Sequence, residues 1–217
     1  MNFEAIVGQH PCDLCFIMNF HGSDKGHPEN ECNHTYTRMY NELFKGVRND
    51  PLRVFELGLG TNNTDVPSNM GVNGKPGASL RGWRQYFQNA QVFGADIDKR
   101  ILFKENRIET FYCDQNNPEA IRALWDNDVL HDNFDIIIED GLHIFDSNVC
   151  FFENSWHKLN VGGIYIIEDI MHYTLDQWRN KIKDWSLKYE NYSFRLSVLP
   201  HERNPHDNTI LIVQRRY

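Results

Sequence analysis

From Arg53 onward the chain alternates two hydrophobic patterns. Short continuous apolar runs, LRVFELGLG at 52–60, AQVFGADID at 90–98, RIETFYCD at 107–114, FDIIIED at 134–140 and GGIYIIED at 162–169, read as strands buried on both faces. Between them apolar positions recur at helical spacing, in GWRQYF at 82–87, PEAIRALWDN at 118–127, FDSNVCFFENSWHKL at 145–159 and LDQWRNKIKDWSLKY at 175–189. Pro118 suits the first turn of its helix. The runs YSFRLSVLP at 192–200 and TILIVQRR at 209–216, joined by a polar loop at 200–208, predict a closing antiparallel pair. Strand–helix alternation with apolar strands predicts an α/β fold, a mostly parallel sheet with helices on both faces. Upstream, 1–50 is polar and loop-rich, with one predicted helix at 35–46. There Tyr36, Met39, Tyr40, Leu43 and Phe44 share a face, and Gly46 offers a stop. The expected organisation is an N-terminal helical and loop segment, 1–50, covering a site built on the α/β domain, 51–217.

The tips of the predicted strands carry the chemistry. Each ends in polar residues: Glu56–Gly60, Asp96–Asp98, Asp114, Glu139–Asp140 and Glu168–Asp169. Ligands of open α/β sheets collect beyond the carboxyl ends of the strands, so this edge is the expected site. Gly58 and Gly60 let backbone approach a ligand closely, and Asp96 could accept hydrogen bonds from both ribose hydroxyls of a nucleoside cofactor. The stretch from Gly60 to Asp96 is far longer than the roughly 20 residues of a dinucleotide fingerprint, and Asn63 stands where a third glycine belongs, which argues against NAD.

Two pairs of carboxylates at neighbouring strand tips repel unless a positive group sits between them. Asp140, Glu168 and Asp169 are the expected ligands of a hard divalent ion, Mg²⁺ or Mn²⁺; the alternative is that the glutamates cap strands or pair with arginines. Three residues beyond Asp140, His143 is a candidate general base, with a role in orienting a ligand as the alternative and His172 in reserve.

Composition narrows the partners. The chain has 217 residues, enough for one substantial core, and a formal net charge of −8, which disfavours nucleic acid and anionic membranes. No run is long enough to span a bilayer and no secretory signal is visible, so a cytoplasmic location is expected. Five cysteines at irregular spacing suggest reduced thiols. A zinc site from Cys12, Cys15, Cys32 and His34 is the main alternative use of the N-terminal segment.

The motifs VFELGLG, GASLRGW, FGADID, YCDQ, DIIIEDGLH and GGIYIIEDI stand in the order found in class I S-adenosylmethionine-dependent methyltransferases. Together with GSDKG and HTYTRMYNELF upstream, they resemble more narrowly the macrolide sugar O-methyltransferase and cephalosporin hydroxylase-like group, over about 20–170. The resemblance implies a Rossmann-like, seven-stranded sheet with an antiparallel last strand. It implies that Glu56, Gly58 and Gly60 face the methionine end of S-adenosylmethionine, that Asp96 holds the ribose, and that Asp114 and Gln115 lie near the adenine. Ser79 would touch the cofactor carboxylate, with Arg81 or Arg84 as alternatives, and Tyr36 would close over the site. A metal at Asp140, Glu168 and Asp169, with His143 as base, implies O-methylation of a small hydroxylated molecule, a sugar or sugar-bearing metabolite. A non-methylating, hydroxylase-like enzyme and a zinc-binding regulatory module are the alternatives. The turn-rich segment 61–78 is an expected lid. The N-terminal segment is a candidate surface for pairing into a homo-oligomer.

Overall fold

Arg53–Leu57 (β1) shows why the sheet is buried on both sides. Its successive side chains point to opposite faces: Phe55 and Leu57 pack into one cluster, Val54 into the other. The same alternation runs through Gln91–Asp96 (β2) and Phe134–Glu139 (β5), where Ile137 faces one way and Ile136 and Ile138 the other. The computed structural model describes residues 11–26, 34–201, 204 and 206–217.

The remaining strands are Lys104–Glu105 (β3), Ile108–Tyr112 (β4), Leu159–Ile167 (β6), Tyr192–Val198 (β7) and Thr209–Arg215 (β8). They form one sheet in the order β3-β4-β2-β1-β5-β6-β8-β7. Pairings are parallel from β4 through β6, while β8 inserts antiparallel between β6 and β7. The seven expected strands are all present, and the two-residue β3 adds an antiparallel edge. Strand order departs from β1 in both directions, so the crevice opens above the tips of β1, β2 and β5.

One face is covered by Ala78–Tyr86 (α3), Tyr36–Phe44 (α2) and Asp13–His21 (α1), through Leu14, Met18, Tyr40, Trp83 and Phe87. The other is covered by Pro118–Trp125 (α4), Phe145–Ser155 (α5) and Leu175–Lys188 (α6), through Trp125, Phe151, Phe152, Trp178 and Trp185. Asn117 caps α4 with hydrogen bonds from Glu119 and Ala120, ahead of Pro118. Helix α1 is absent from the sequence-based expectation. It buries Leu14, Cys15, Ile17 and Met18, yet it exposes Phe16 and Phe20, so its apolar residues make no single stripe to read. Gly22, at φ 86°, closes it in the left-handed conformation that favours glycine.

Of the expected lid, 61–78, the part 61–77 contains no helix or strand and is tied at both ends, while Ala78 already opens α3. Thr61 Oγ1 and Asn63 Nδ2 donate to Asp98, and the Gly77 amide donates to the Leu59 carbonyl at 2.7 Å.

Phe55 is fully buried, with its ring 4.8 Å from that of Trp125 and 5.6 Å from that of Phe134. Phe55→Ala is expected to cost about 3–5 kcal/mol in urea denaturation, whereas Phe20→Ser, on an exposed face, should stay within about 0.5 kcal/mol.

Candidate active site

The tips of β1, β2 and β5 meet through backbone bonds. The Gly58 amide donates to Ala95 and the Asp140 amide to Leu57, and Glu168 continues the row by donating to Glu139. Gly58, at φ 90°, must be glycine: a Cβ there would stand 1.8 Å from the Asp140 carbonyl oxygen. A cavity of about 300 Å³ opens on this row. Its wall includes Gly58, Gly60, Asp96, Asp114, Gln115, Asp140, His143 and Asp169 from the expected site set, and Asp24, Ser68 and Met70 from outside it.

Three potential ligands converge in the cavity wall. Asp140, His143 and Asp169 each offer an atom within 4.8 Å of the others. This is the spacing expected of donors that share one ion, and among the described residues no other such group of His, Cys, Asp or Glu forms. His143 lies between the acids, its Nε2 3.1 Å from Asp140 Oδ1 and its Nδ1 3.5 Å from Asp169 Oδ2. Burial works against its charged form, but the Asp169 and Asp140 carboxylates outweigh burial and raise the imidazole to about 10. Ser68 Oγ is 3.3 Å from His143 Nδ1. Ser68, His143 and Asp169 all hold positive φ, at 58°, 60° and 52°. Left-handed backbone costs non-glycine residues of order 1–3 kcal/mol each, and here it aims three side chains at one point.

Glu168 behaves differently from its neighbours. Its Oε2 accepts from the Lys25 ammonium and its Oε1 from Tyr40 Oη, so both oxygens are turned inward beneath the cavity. Lys25 also donates to Asp140 Oδ2 and lies 3.6 Å from Glu56. The positive group required between the strand-tip carboxylates is therefore, in part, a lysine of the chain itself. Burial drives the Glu168 carboxyl well upward, against the pull of Lys25, while Lys25 and His143 overcome burial and hold Asp140 low.

The expected cofactor residues divide into two sets. Asp96 sits at the end of β2, oriented by the Leu59 amide at 2.7 Å and the Asp98 amide at 2.8 Å, each taking one carboxylate oxygen. Asp114 and Gln115 reach the same cavity; Gln115 Oε1 also accepts from the Leu142 amide at 2.7 Å, bracing the turn before His143. Glu56 and Ser79 instead bond each other at 2.6 Å, with Trp83 Nε1 on the second Glu56 oxygen, outside the main cavity wall. Ser79 borders a separate small cleft with Lys25 and Lys75. Arg81 and Arg84 both pair with Glu105 at the sheet edge. Tyr36 is wholly buried rather than a cover, and its hydroxyl donates to Asp169 at 2.6 Å. His172 bonds Thr209 and does not reach the cavity wall. In the N-terminal segment the Cys12 and Cys15 sulfurs lie 3.3 Å apart and bond Thr37, while His34 stacks on Tyr36. Cys32 lies outside the described residues.

The comparisons with known proteins agree with this architecture. No family model matches the chain. It is 36% identical over 69% of its length to 8-demethyl-8-alpha-L-rhamnosyl tetracenomycin-C 2'-O-methyltransferase of Streptomyces olivaceus, and 33% identical over 63% of its length to demethylmacrocin O-methyltransferase of Streptomyces fradiae. Over the matched stretch the chain is related to these O-methyltransferases, and its fold is that of the class I methyltransferases. It spans about a third of those relatives, 35% and 32% of their lengths. Among solved structures, MycE methyltransferase from the mycinamycin biosynthetic pathway, in complex with Mg and SAH, matches 96% of this chain and 56% of its own, with TM-score 0.70 and 23% identity. A putative caffeoyl-CoA O-methyltransferase from Staphylococcus aureus matches 94% of this chain and 92% of its own, with TM-score 0.58 and 13% identity. Among the described residues no helix is long and apolar enough to cross a membrane.

Sequence reasoning missed Lys25, Tyr40, Asp24 and Ser68 as site residues. The first three lie in the GSDKG and HTYTRMYNELF stretches that carry part of the resemblance, but nothing local tells that a lysine there is buried.

Glu139 yields a test. It is wholly buried, and burial lifts its carboxyl to about 7 against the donors Gly141 and Gln115. Because the fold favours its protonated form, wild-type stability should fall as pH rises from the ordinary carboxyl range to about 7 and then level off. Glu139→Gln lacks that slope, so its melting temperature should gain on wild type between about pH 5 and pH 8 in calorimetric scans.

Proposed function

We propose that this chain moves the methyl group of S-adenosylmethionine to a hydroxyl of a small molecule, a sugar or sugar-bearing metabolite, with the help of Mg²⁺ or Mn²⁺. The observation that carries this reading is the convergence of Asp140, His143 and Asp169 in the cavity that also holds Asp96 and the glycine turn. The relatives' names support the acceptor class, since they are O-methyltransferases of rhamnosyl tetracenomycin and of demethylmacrocin.

Gly58 and Gly60 leave room for the cofactor backbone, and Asp96 has a second lone pair on each oxygen for the ribose hydroxyls. Asp114 and Gln115 border the space for the adenine. Asp140 and Asp169 are the carboxylates that would hold the ion; Glu168 lies directly behind them, engaged by Lys25 and Tyr40. When bound, the ion stabilises the developing alkoxide of the acceptor. Sulfonium methyl transfer is an in-line displacement whose donor is already activated, so the acceptor proton is the remaining obstacle. His143 takes that proton. Its carboxylate partners raise its affinity for a proton, and a divalent cation held by the same carboxylates would reduce that affinity toward the working range of a base. Tyr36 holds Asp169, and Ser68 sets the imidazole.

Isothermal titration with S-adenosylhomocysteine, paired with magnesium-dependent product formation on sugar-bearing acceptors, tests the proposal. Cofactor binding with turnover indifferent to chelation would overturn the metal role; cofactor binding with hydroxylated product would favour the hydroxylase-like alternative. Asp96→Ala should weaken S-adenosylhomocysteine binding by about tenfold or more, the loss of one or two charge-assisted hydrogen bonds. Asp169→Asn should abolish the metal response while leaving that binding within about threefold, because its partners, Tyr36 and His143, are not those of Asp96. His143→Ala should lower turnover by about a hundredfold or more, with partial recovery at high pH; unchanged turnover would remove its role as base.

A further inference from the structure

We infer that Lys25 is a tethered cation that competes with the divalent ion for the strand-tip carboxylates and thereby sets the metal affinity of the site. The inference rests on the metal reading above and adds a residue that faces away from the cavity. Asp24 lines the cavity wall while the next side chain, Lys25, turns beneath it and is 1% exposed. Lysine is almost never buried to this degree unless paired. The pairing here is unusually full: the ammonium donates to Asp140 Oδ2 and Glu168 Oε2, and Glu56 stands 3.6 Å away.

Two consequences follow from the geometry. Asp140 is shared, with Oδ2 on Lys25 and Oδ1 toward His143 in the three-ligand group. Any ion seated against Asp140 therefore draws on a carboxylate whose charge is already half committed. Glu168 is contested in the same way, because Lys25 and Tyr40 take one oxygen each and an ion that used it would compete with the ammonium. Lys25 is the positioning residue that holds Glu168 and Asp140 together, and its charge would sit one carboxylate from an ion on Asp140. Deleting the ammonium would leave Glu56, Asp140 and Glu168 with one less neighbouring positive charge and would free Glu168 and Asp140 Oδ2 as donors. Both changes strengthen attraction for a divalent cation.

The test is Mn²⁺ binding to the whole chain, followed by the loss of the free-ion electron paramagnetic resonance signal. Lys25→Met should bind Mn²⁺ at least tenfold more tightly than wild type, and its melting temperature should rise more steeply with added Mn²⁺, since the ion replaces the lost counter-charge. Lys25→Arg, which keeps the charge, should stay near the wild-type affinity. If Lys25→Met does not fold, Lys25→Gln keeps a donor without the charge and carries the same expectation. A purely structural lysine predicts the reverse, loosened carboxylates and weaker Mn²⁺ binding in the neutral variants. Wild-type binding with equal or weaker binding by the neutral variant overturns this inference alone. No Mn²⁺ binding by wild type or either variant overturns the metal reading with it.

Discussion

The constraint on which the site depends is the repulsion among carboxylates gathered at one edge of a sheet. Glu56, Asp140, Glu168 and Asp169 come from the ends of three neighbouring strands; Glu56, Glu168 and Asp169 are buried and Asp140 is half-buried, which makes their charges costly. The chain meets the problem with one buried lysine under the cavity and one histidine within it. Each binds two or more of the acids, and together they divide the cluster into an inner part and an outer part. The inner part, Glu56 and Glu168, is engaged by Lys25, Ser79, Trp83 and Tyr40. The outer part, Asp140 and Asp169, keeps its face toward the cavity.

The rest of the molecule reads as support for that division. Helix α2 supplies Tyr36 to Asp169 and Tyr40 to Glu168, so this helix is part of the site's foundation. Helix α3 supplies Ser79 and Trp83 to Glu56. The turns after β5 and β6 store backbone strain at His143 and Asp169, and only a well-packed sheet beneath them can hold it. That packing comes from two aromatic-rich faces, in which Trp83, Tyr40 and Phe44 cover one side and Trp125, Phe152 and Trp185 the other. The methyl transfer proposed above needs alignment more than covalent help from the protein, and a strained, hydrogen-bonded rim on a rigid sheet would supply alignment.

The architecture was legible because its signals are local. Apolar runs ending in glycine or acid mark β1, β2, β5 and β6, and the register of their side chains follows from a period of two. Helices α4 and α5 followed from spacing and from Pro118. Asp96, Gly58, Asp140 and His143 could be nominated because each lies at a strand end, and strand ends in this fold share an edge. Helix α1 was not legible, because it is apolar on several sides, and the two-residue β3 is too short for any pattern. Ser79 and Glu56 were nominated for a cofactor and are found bonded to each other, a pairing across 23 positions that no periodicity encodes.

What the chain's own pattern determined is the sheet, its order of strands and helices, and the acidic edge where the site stands; these depend on residues near one another in sequence. What only the tertiary structure decided is which acids face the cavity and which are neutralised below it. That choice is made by Lys25 and Tyr40, which meet Glu168 from 143 and 128 positions away. A buried ion pair carries no local signature, since its stability comes from partners that only folding brings within reach and from the water that folding excludes.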